Sequence, residues 1–267
     1  MIDPIASYSL VSKFDGGGNQ MAKKMEVQVW SDIACPFCYI GRAHFKQALA
    51  DFDHKDDVEV HYNSFELDTT ASGEPETMAD HMSKEKGMSK EKVDEFLSTI
   101  TELAKETGLK MDTSKIKVVN TLKAYRLLHF AETKGKESEL MDKLFEAYFA
   151  DGLNVDDNAV LTDLAMSVGL NQDEVKSVLD SDKFKNDVRA DEAAAQQVGI
   201  NGVPFYVFNK KYAVSGAQPF KVFKSALDKA WDSFKPIEMV GGDDDQSKGA
   251  NCEGGSCSVD PNANNQK

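Results

Sequence analysis

Polar and apolar positions alternate along residues 26–31, EVQVWS, and the alternation stops at DIACPFCYIG. A period of two is the signature of a half-buried strand. From Cys38 onward the period changes. Phe45, Leu49 and Phe52 recur at helical spacing, so a helix is expected to open at the two close cysteines. Pro36 suits its first turn, where a missing N–H costs nothing. Residues 58–65, VEVHYNSF, alternate again, and the opening unit reads strand–helix–strand.

A long stretch of helical periodicity follows. Val93, Phe96, Leu97, Ile100, Leu103 and Ala104 mark one helix face, and Gly108 is a suitable stop. Further stripes run through 121–134, 138–150 and 160–168, and another helix opens at Asn171, three positions before Glu174. The Met and aromatic residues on these stripes read as core, because their spacing needs no cofactor to explain it. Strand character returns at 203–208, VPFYVF. Asn209 and Lys210 predict a tight turn into YAVSGA, and Phe220, Phe223, Leu227, Ala230 and Trp231 give a last helix limited by Pro236.

The predicted order is β-α-β, an all-helical block, then β-β-α. It implies an α/β fold, a small mixed sheet with helices on both faces and a large helical insertion before the terminal hairpin. The expected divisions are a leader at 1–24, a first sheet part at 25–67 and the insertion at 68–186. A second sheet part at 187–236 and a flexible tail at 237–267 complete the chain.

Composition narrows the function. The chain of 267 residues is 41% hydrophobic and 28% charged, with a formal net charge of −14. That charge disfavours phosphate backbones, so nucleic acid is not an expected partner. No apolar run approaches the roughly 20 residues of a bilayer-spanning helix, and no membrane partner is expected. Residues before Met21 have neither a basic nor a sustained apolar region; GGGN reads as part of a flexible leader, with Met21 or Met25 as the natural start. The expected compartment is the cytoplasm, where a close cysteine pair is more often catalytic or metal-binding than structural.

Cys35 and Cys38 are two of only four cysteines. At the opening of a helix, Cys35 would face unpaired N–H groups and the positive end of the helix dipole. Such placement favours the thiolate, which is the attacking species in disulfide exchange. Cys38, one turn on, would be better covered, so Cys35 is expected to be the accessible nucleophile and Cys38 the resolving thiol. A structural zinc site needs four ligands, and Cys252 and Cys257 could supply two. A Pro-Phe spacer opening a helix is poor geometry for it, however, and the tail is remote. A staple is weaker still, since so short a loop constrains the unfolded chain little. Val203-Pro204 opens a later strand and gains meaning beside the paired cysteines.

Four stretches carry a resemblance: SDIACPFCYIG (31–41), SFEL (64–67), AYFADGLNVDD (147–157) and DEAAAQQVGINGVPFYVFNKKYAVSGAQP (191–219). Together they resemble the DsbA-like branch of the thioredoxin superfamily, most of all the FrnE-type oxidoreductases, over about residues 25–235. The resemblance implies a thioredoxin fold with a helical insertion and a cis Pro204 facing the cysteines. It also implies a substrate groove of Pro36, Phe37, Val203 and Pro204, with Val203 lending backbone hydrogen bonds to a bound chain. Pro-Phe stands where this family more commonly has Pro-Trp, so a reduction potential does not carry over. Kappa-class glutathione transferases and related isomerases share the fold but use a serine or lone thiol near position 35, and the intact pair argues against them.

The expected activity is thiol–disulfide exchange or isomerisation on thiol or disulfide-bonded proteins, with the chain monomeric or dimeric. No cofactor or metal is expected, and glutathione is a candidate reductant. Cys252 and Cys257, five apart across glycines, are similar to a C-terminal Cys-x4-Cys segment of some FrnE-type proteins and suggest a second redox pair. The rival reading is a groove-binding chaperone or regulatory module without turnover. Asp32 and Glu66 could act as proton shuttles near the thiols but read as ordinary surface carboxylates, and His129 reads as a core-edge histidine; none enters the expected site.

Overall fold

The computed structural model describes residues 24–71, 76–85 and 87–234. Nearly all of the expected leader, Pro236, and the tail with Cys252 and Cys257 lie outside the described residues. The described residues form one unit.

Strand β1 (Met25–Ser31) leads through a short turn into α1 (Pro36–Ala50), and a 3-10 turn (Lys55–Asp57) enters β2 (Val58–Ser64). The alternating pattern is realised on β1, where Met25, Val27 and Val29 are buried and Glu26 and Gln28 half-buried. β1 pairs in parallel with β2 from Met25↔Val58 to Ser31↔Ser64. On its other side it pairs antiparallel with β5 (Phe205–Phe208), which forms a hairpin with β6 (Tyr212–Ser215). The sheet order is β2-β1-β5-β6. The hairpin turns at Asn209 and Lys210, both at positive φ (48° and 55°), which asparagine tolerates better than most residues.

Between β2 and β5 lie α2 (Met78–Glu85), α3 (Lys90–Glu106), α4 (Leu122–Glu132), α5 (Glu137–Glu146), α6 (Asn158–Ser167), α7 (Gln172–Leu179) and α8 (Lys185–Gln197). α9 (Phe220–Phe234) closes the described chain. The expected helix at Asn171 is capped by that side chain, which accepts from the Asp173 and Glu174 amides. Several elements depart from the pattern reading, α2 among them, since no apolar stripe marked it. A two-residue antiparallel pairing, β3 (Glu76–Thr77) with β4 (Lys117–Val118), joins the helical block. α8, unmarked by apolar periodicity, buries only Val188 and Ala195 of its own residues. Its Ala-rich sequence suffices because the sheet supplies the large apolar partner.

The sheet is covered on both faces. α1 and α9 pack on one, where Phe45, Tyr206, Phe208 and Phe223 form an aromatic cluster. α8 lies against Trp30, Phe65 and Phe205, and the Trp30 indole donates to the Asp191 carbonyl at 3.1 Å. The helical block has its own core, which reaches without a break into the cysteine motif: Ile33, Cys35, Cys38 and Tyr39 belong to it. Tyr39 stacks on Phe145 and Phe149.

Candidate active site

Cys35 is the N-cap residue of α1, in an extended conformation (φ −91°, ψ 115°), and Pro36 occupies the first turn. The Cys35 side chain makes no capping hydrogen bond to this helix end, and the first turn holds no acid. The Cys35 amide donates to the Asp32 carbonyl at 3.1 Å, and its own carbonyl accepts from the Cys38 and Tyr39 amides. Residues 32–35 thus form the turn that aims β1 into α1.

Opposite stands the loop before β5. The Val203–Pro204 bond is cis, and the Cys35 thiol donates to the Val203 carbonyl at 3.8 Å. Gly41, one turn beyond Cys38, makes this approach sterically open. A Cβ there would lie 3.0 Å from the Tyr206 hydroxyl, 3.1 Å from Pro204 Cγ and 3.2 Å from Ala217 Cα. Phe37 packs edge-on against Phe96 of α3, with ring centroids 6.1 Å apart. The structure therefore brings Cys35, Pro36, Phe37, Cys38, Val203 and Pro204 into one region.

One expectation is corrected. Cys35 is not open to solvent: it is 4% exposed, against 1% for Cys38. Its sulfur points toward the Val203 carbonyl, and Ala34, Phe37 and Val203 pack around the core cluster to which both cysteines belong.

Behind the sulfurs lies a polar network that the pattern reading undervalued. Asp32 is 2% exposed. Its amide donates to Cys38 Sγ at 3.3 Å, its carboxylate accepts from the Ala34 amide at 3.0 Å and the Leu67 amide at 2.7 Å, and the Tyr125 hydroxyl oxygen lies 3.3 Å away. Burial pushes this carboxyl from 3.8 up to about 6, against the pull of those hydrogen bonds. Burial, then the neighbouring Cys35, push the Cys38 thiol up as well. Tyr125, from α4, donates to the Ser31 carbonyl at 2.5 Å and accepts from the Ile33 amide at 3.1 Å, pinning both ends of the turn. Tyr148 sits in a π-helical turn (Ala147–Asp151) after α5. Its hydroxyl is buried without a hydrogen-bond partner among the described residues, and burial, then the charge of Asp32, push its phenol up.

Glu66 is also inside: its side chain has no exposed surface and is paired with Arg189 of α8. The available signals were the SD before the cysteines and the SFEL after β2. Neither shows by itself which carboxylates the helical block would cover. Among the described residues, no group of three or more His, Cys, Asp or Glu side chains is placed to hold a metal ion.

The chain is similar to known proteins in sequence and in fold. The DSBA-like thioredoxin domain family matches residues 26–228. An uncharacterized protein of Bacillus subtilis, YwbO, is 28% identical over 205 residues, covering 76% of this chain and 96% of that protein. A solved probable DsbA oxidoreductase of Streptomyces coelicolor is 37% identical, with a TM-score of 0.76, covering 88% of this chain and 99% of that one. The cytosolic disulfide reductase DsbM of Pseudomonas aeruginosa, solved with GSH, shares the fold at 14% identity and a TM-score of 0.57, covering 78% of this chain and 99% of its own. With the match running from β1 into α9, this chain belongs to the DSBA-like thioredoxin domain family.

Proposed function

We propose that this protein is a FrnE-type thiol–disulfide oxidoreductase acting on protein disulfides in the cytoplasm, with Cys35 as nucleophile and Cys38 as resolving thiol. The observation that carries the reading is the pair of sulfur contacts: Cys35 Sγ against the Val203 carbonyl, and Cys38 Sγ under the Asp32 amide. The outer sulfur faces the segment a substrate chain would lie along. The inner one lies beside Cys35, beneath the Asp32 amide.

In the reducing direction the Cys35 thiolate attacks a substrate disulfide. One substrate sulfur leaves as a thiolate and takes up a proton, and the other is bound to Cys35. Cys38 then gives its proton to the Asp32 carboxylate and attacks Cys35 Sγ. The Cys35–substrate bond breaks, the Cys35–Cys38 bond forms, and the second substrate thiolate leaves. The substrate gains two electrons and the cysteine pair loses them; oxidation of a dithiol is the same sequence in reverse. Asp32 is suited to the transfer because a carboxyl near 6 is ionised at neutral pH yet binds a proton more readily than an exposed one. Pro36, Phe37, Val203 and Pro204 line the substrate groove, and Val203 offers its backbone to an extended chain. Glutathione serves as a reductant of the oxidised pair. Cys252 and Cys257 form a second pair that exchanges with the first.

The test is insulin reduction and refolding of scrambled ribonuclease. Cys35→Ser is expected to abolish both, and Cys38→Ala to accumulate a mixed disulfide on Cys35. The double variant Cys252→Ser/Cys257→Ser is expected to slow multiple turnover while sparing the first. Undiminished activity in Cys35→Ser would overturn the reading, and full glutathione-dependent activity in Cys38→Ala would move the protein to the transferase branch.

A further inference from the structure

The segment after β2 is held from two directions. The Phe65 carbonyl lies 3.3 Å from the Tyr125 hydroxyl, and the Leu67 amide donates to Asp32 Oδ2 at 2.7 Å. Leu67 is not anchored by its own side chain, since the residue is 54% exposed. The anchor is its neighbour. Arg189 Nη1 donates to Glu66 Oε2 at 2.5 Å and to Glu192 Oε2 at 2.6 Å, while Glu192 Oε1 accepts from the Glu66 amide at 3.4 Å. One turn of α8 therefore grips both the backbone and the side chain of Glu66.

That grip is costly. The Glu66 side chain is fully covered, and its second oxygen, Oε1, has no hydrogen-bond partner among the described residues. Burial pushes the carboxyl up, and the hydrogen bond and charge of Arg189 pull it part of the way back. An apolar side chain of similar length would pack there at lower cost. What the ion cluster adds is position, because a carboxylate bridged to a neighbouring carboxylate by one guanidinium leaves residues 65–67 little freedom.

We propose that Arg189, through Glu66, holds the Leu67 N–H on the Asp32 carboxylate and is thereby a positioning residue for the proton transfer that frees the Cys38 thiolate. An N–H donated to a carboxylate favours its ionised form, which is the form able to accept that proton. The other groups facing Asp32 are Tyr125 and Thr121 at the start of α4 and Tyr148 of the π-helical turn, while Cys38 Sγ of α1 meets the Asp32 amide. The inference rests on Asp32 as the proton acceptor, and its test separates the two.

Reduced full-length protein is mixed with oxidised glutathione, acid-quenched at intervals, and followed by mass spectrometry as the Cys35–glutathione adduct resolves to the Cys35–Cys38 disulfide. The resolution rate is measured from pH 4.5 to 8.5. Wild type is expected to show an inflection that Asp32→Asn abolishes. Arg189→Ala is expected to move that inflection upward by about one pH unit, the worth of one lost hydrogen bond. Arg189→Lys, which keeps the charge without the bridging fork, is the milder second variant and is expected to move it the same way by less. An inflection unmoved or moved downward in both Arg189 variants, yet absent in Asp32→Asn, overturns the inference alone. An inflection that survives Asp32→Asn overturns the Asp32 reading beneath it.

Discussion

At Asp32, burial and hydrogen bonding act on one carboxyl in opposite directions, and burial is the larger. A carboxyl raised from 3.8 to about 6 binds its proton more tightly in the folded chain than in the unfolded one. The folded state is therefore favoured below about pH 4. Stability falls as the pH rises through the interval to about 6 and is level above it. The whole shift corresponds to at most about 3 kcal/mol. Asp32→Asn, which cannot ionise, is expected to stabilise the protein at pH 7.5 by up to that amount and by much less at pH 4, while slowing resolution of the mixed disulfide. Denaturant midpoints at the two pH values check the first expectation. A variant less stable than wild type at pH 7.5 would show that the hydrogen bonds outweigh burial at this site. The same reasoning explains why Cys38 needs an acceptor at all, since a buried thiol pushed upward does not shed its proton unaided at neutral pH.

Among the elements, α1 is constrained most closely by its neighbours. Its first turn carries the sulfurs, and Gly41 lies against the loop that faces them. Alanine would normally favour a helix over glycine by about 1 kcal/mol. Here its methyl would meet Pro204 and the Ala217 backbone at 3.1–3.2 Å, and overpacking of that kind costs roughly 1–3 kcal/mol. Gly41→Ala is expected to lower stability by about 1 kcal/mol net, with a Tm a few degrees lower and slower exchange, because the loop bearing Val203 must retreat from Cys35. A calorimetric melt together with insulin reduction checks this; unchanged values in both would mean the loop gives way freely. α8 works differently. It contributes little apolar surface of its own and is instead fastened by polar contacts, from Trp30 to the Asp191 carbonyl and from Arg189 to Glu66.

Over the molecule as a whole, the sheet and the helical block are joined by ionic as well as apolar contacts. His129 of α4 lies 3.1 Å from Asp191 of α8, and the same Asp191 oxygen accepts from the Ser64 amide at the end of β2. Burial alone would lower the imidazole, but the Asp191 and Glu132 carboxylates outweigh it and raise it to about 10. The stabilisation this gives is complete below about 6.5 and is lost as the pH rises through 10. His129→Gln is therefore expected to weaken the protein at pH 6 and to erase part of the decline of wild type between pH 7 and 10, read as parallel chemical denaturation curves. A wild-type decline that persists in full would place its cause elsewhere. At this scale the limits of sequence reading are also clearest. The order of strands and helices, the helix opening at Cys35, the Asn171 cap and the hairpin turn at Asn209 and Lys210 follow from periodicity and turn chemistry, which act over a few residues. α8 escaped that reading because its apolar partner belongs to the sheet. Asp32 and Tyr125 are 93 positions apart, and Glu66 and Arg189 are 123 apart. Nothing local marks either pair, since a carboxylate reads alike whether water or a helix covers it. Sequence reading singled out Cys35, Cys38 and Pro204, which the fold brings close together. Only the packing of the helical block onto the sheet decided that Cys35 is covered, that Asp32 is dry, and that an ion pair on α8 reaches the turn behind Cys38, because desolvation is a property of what folds over a residue.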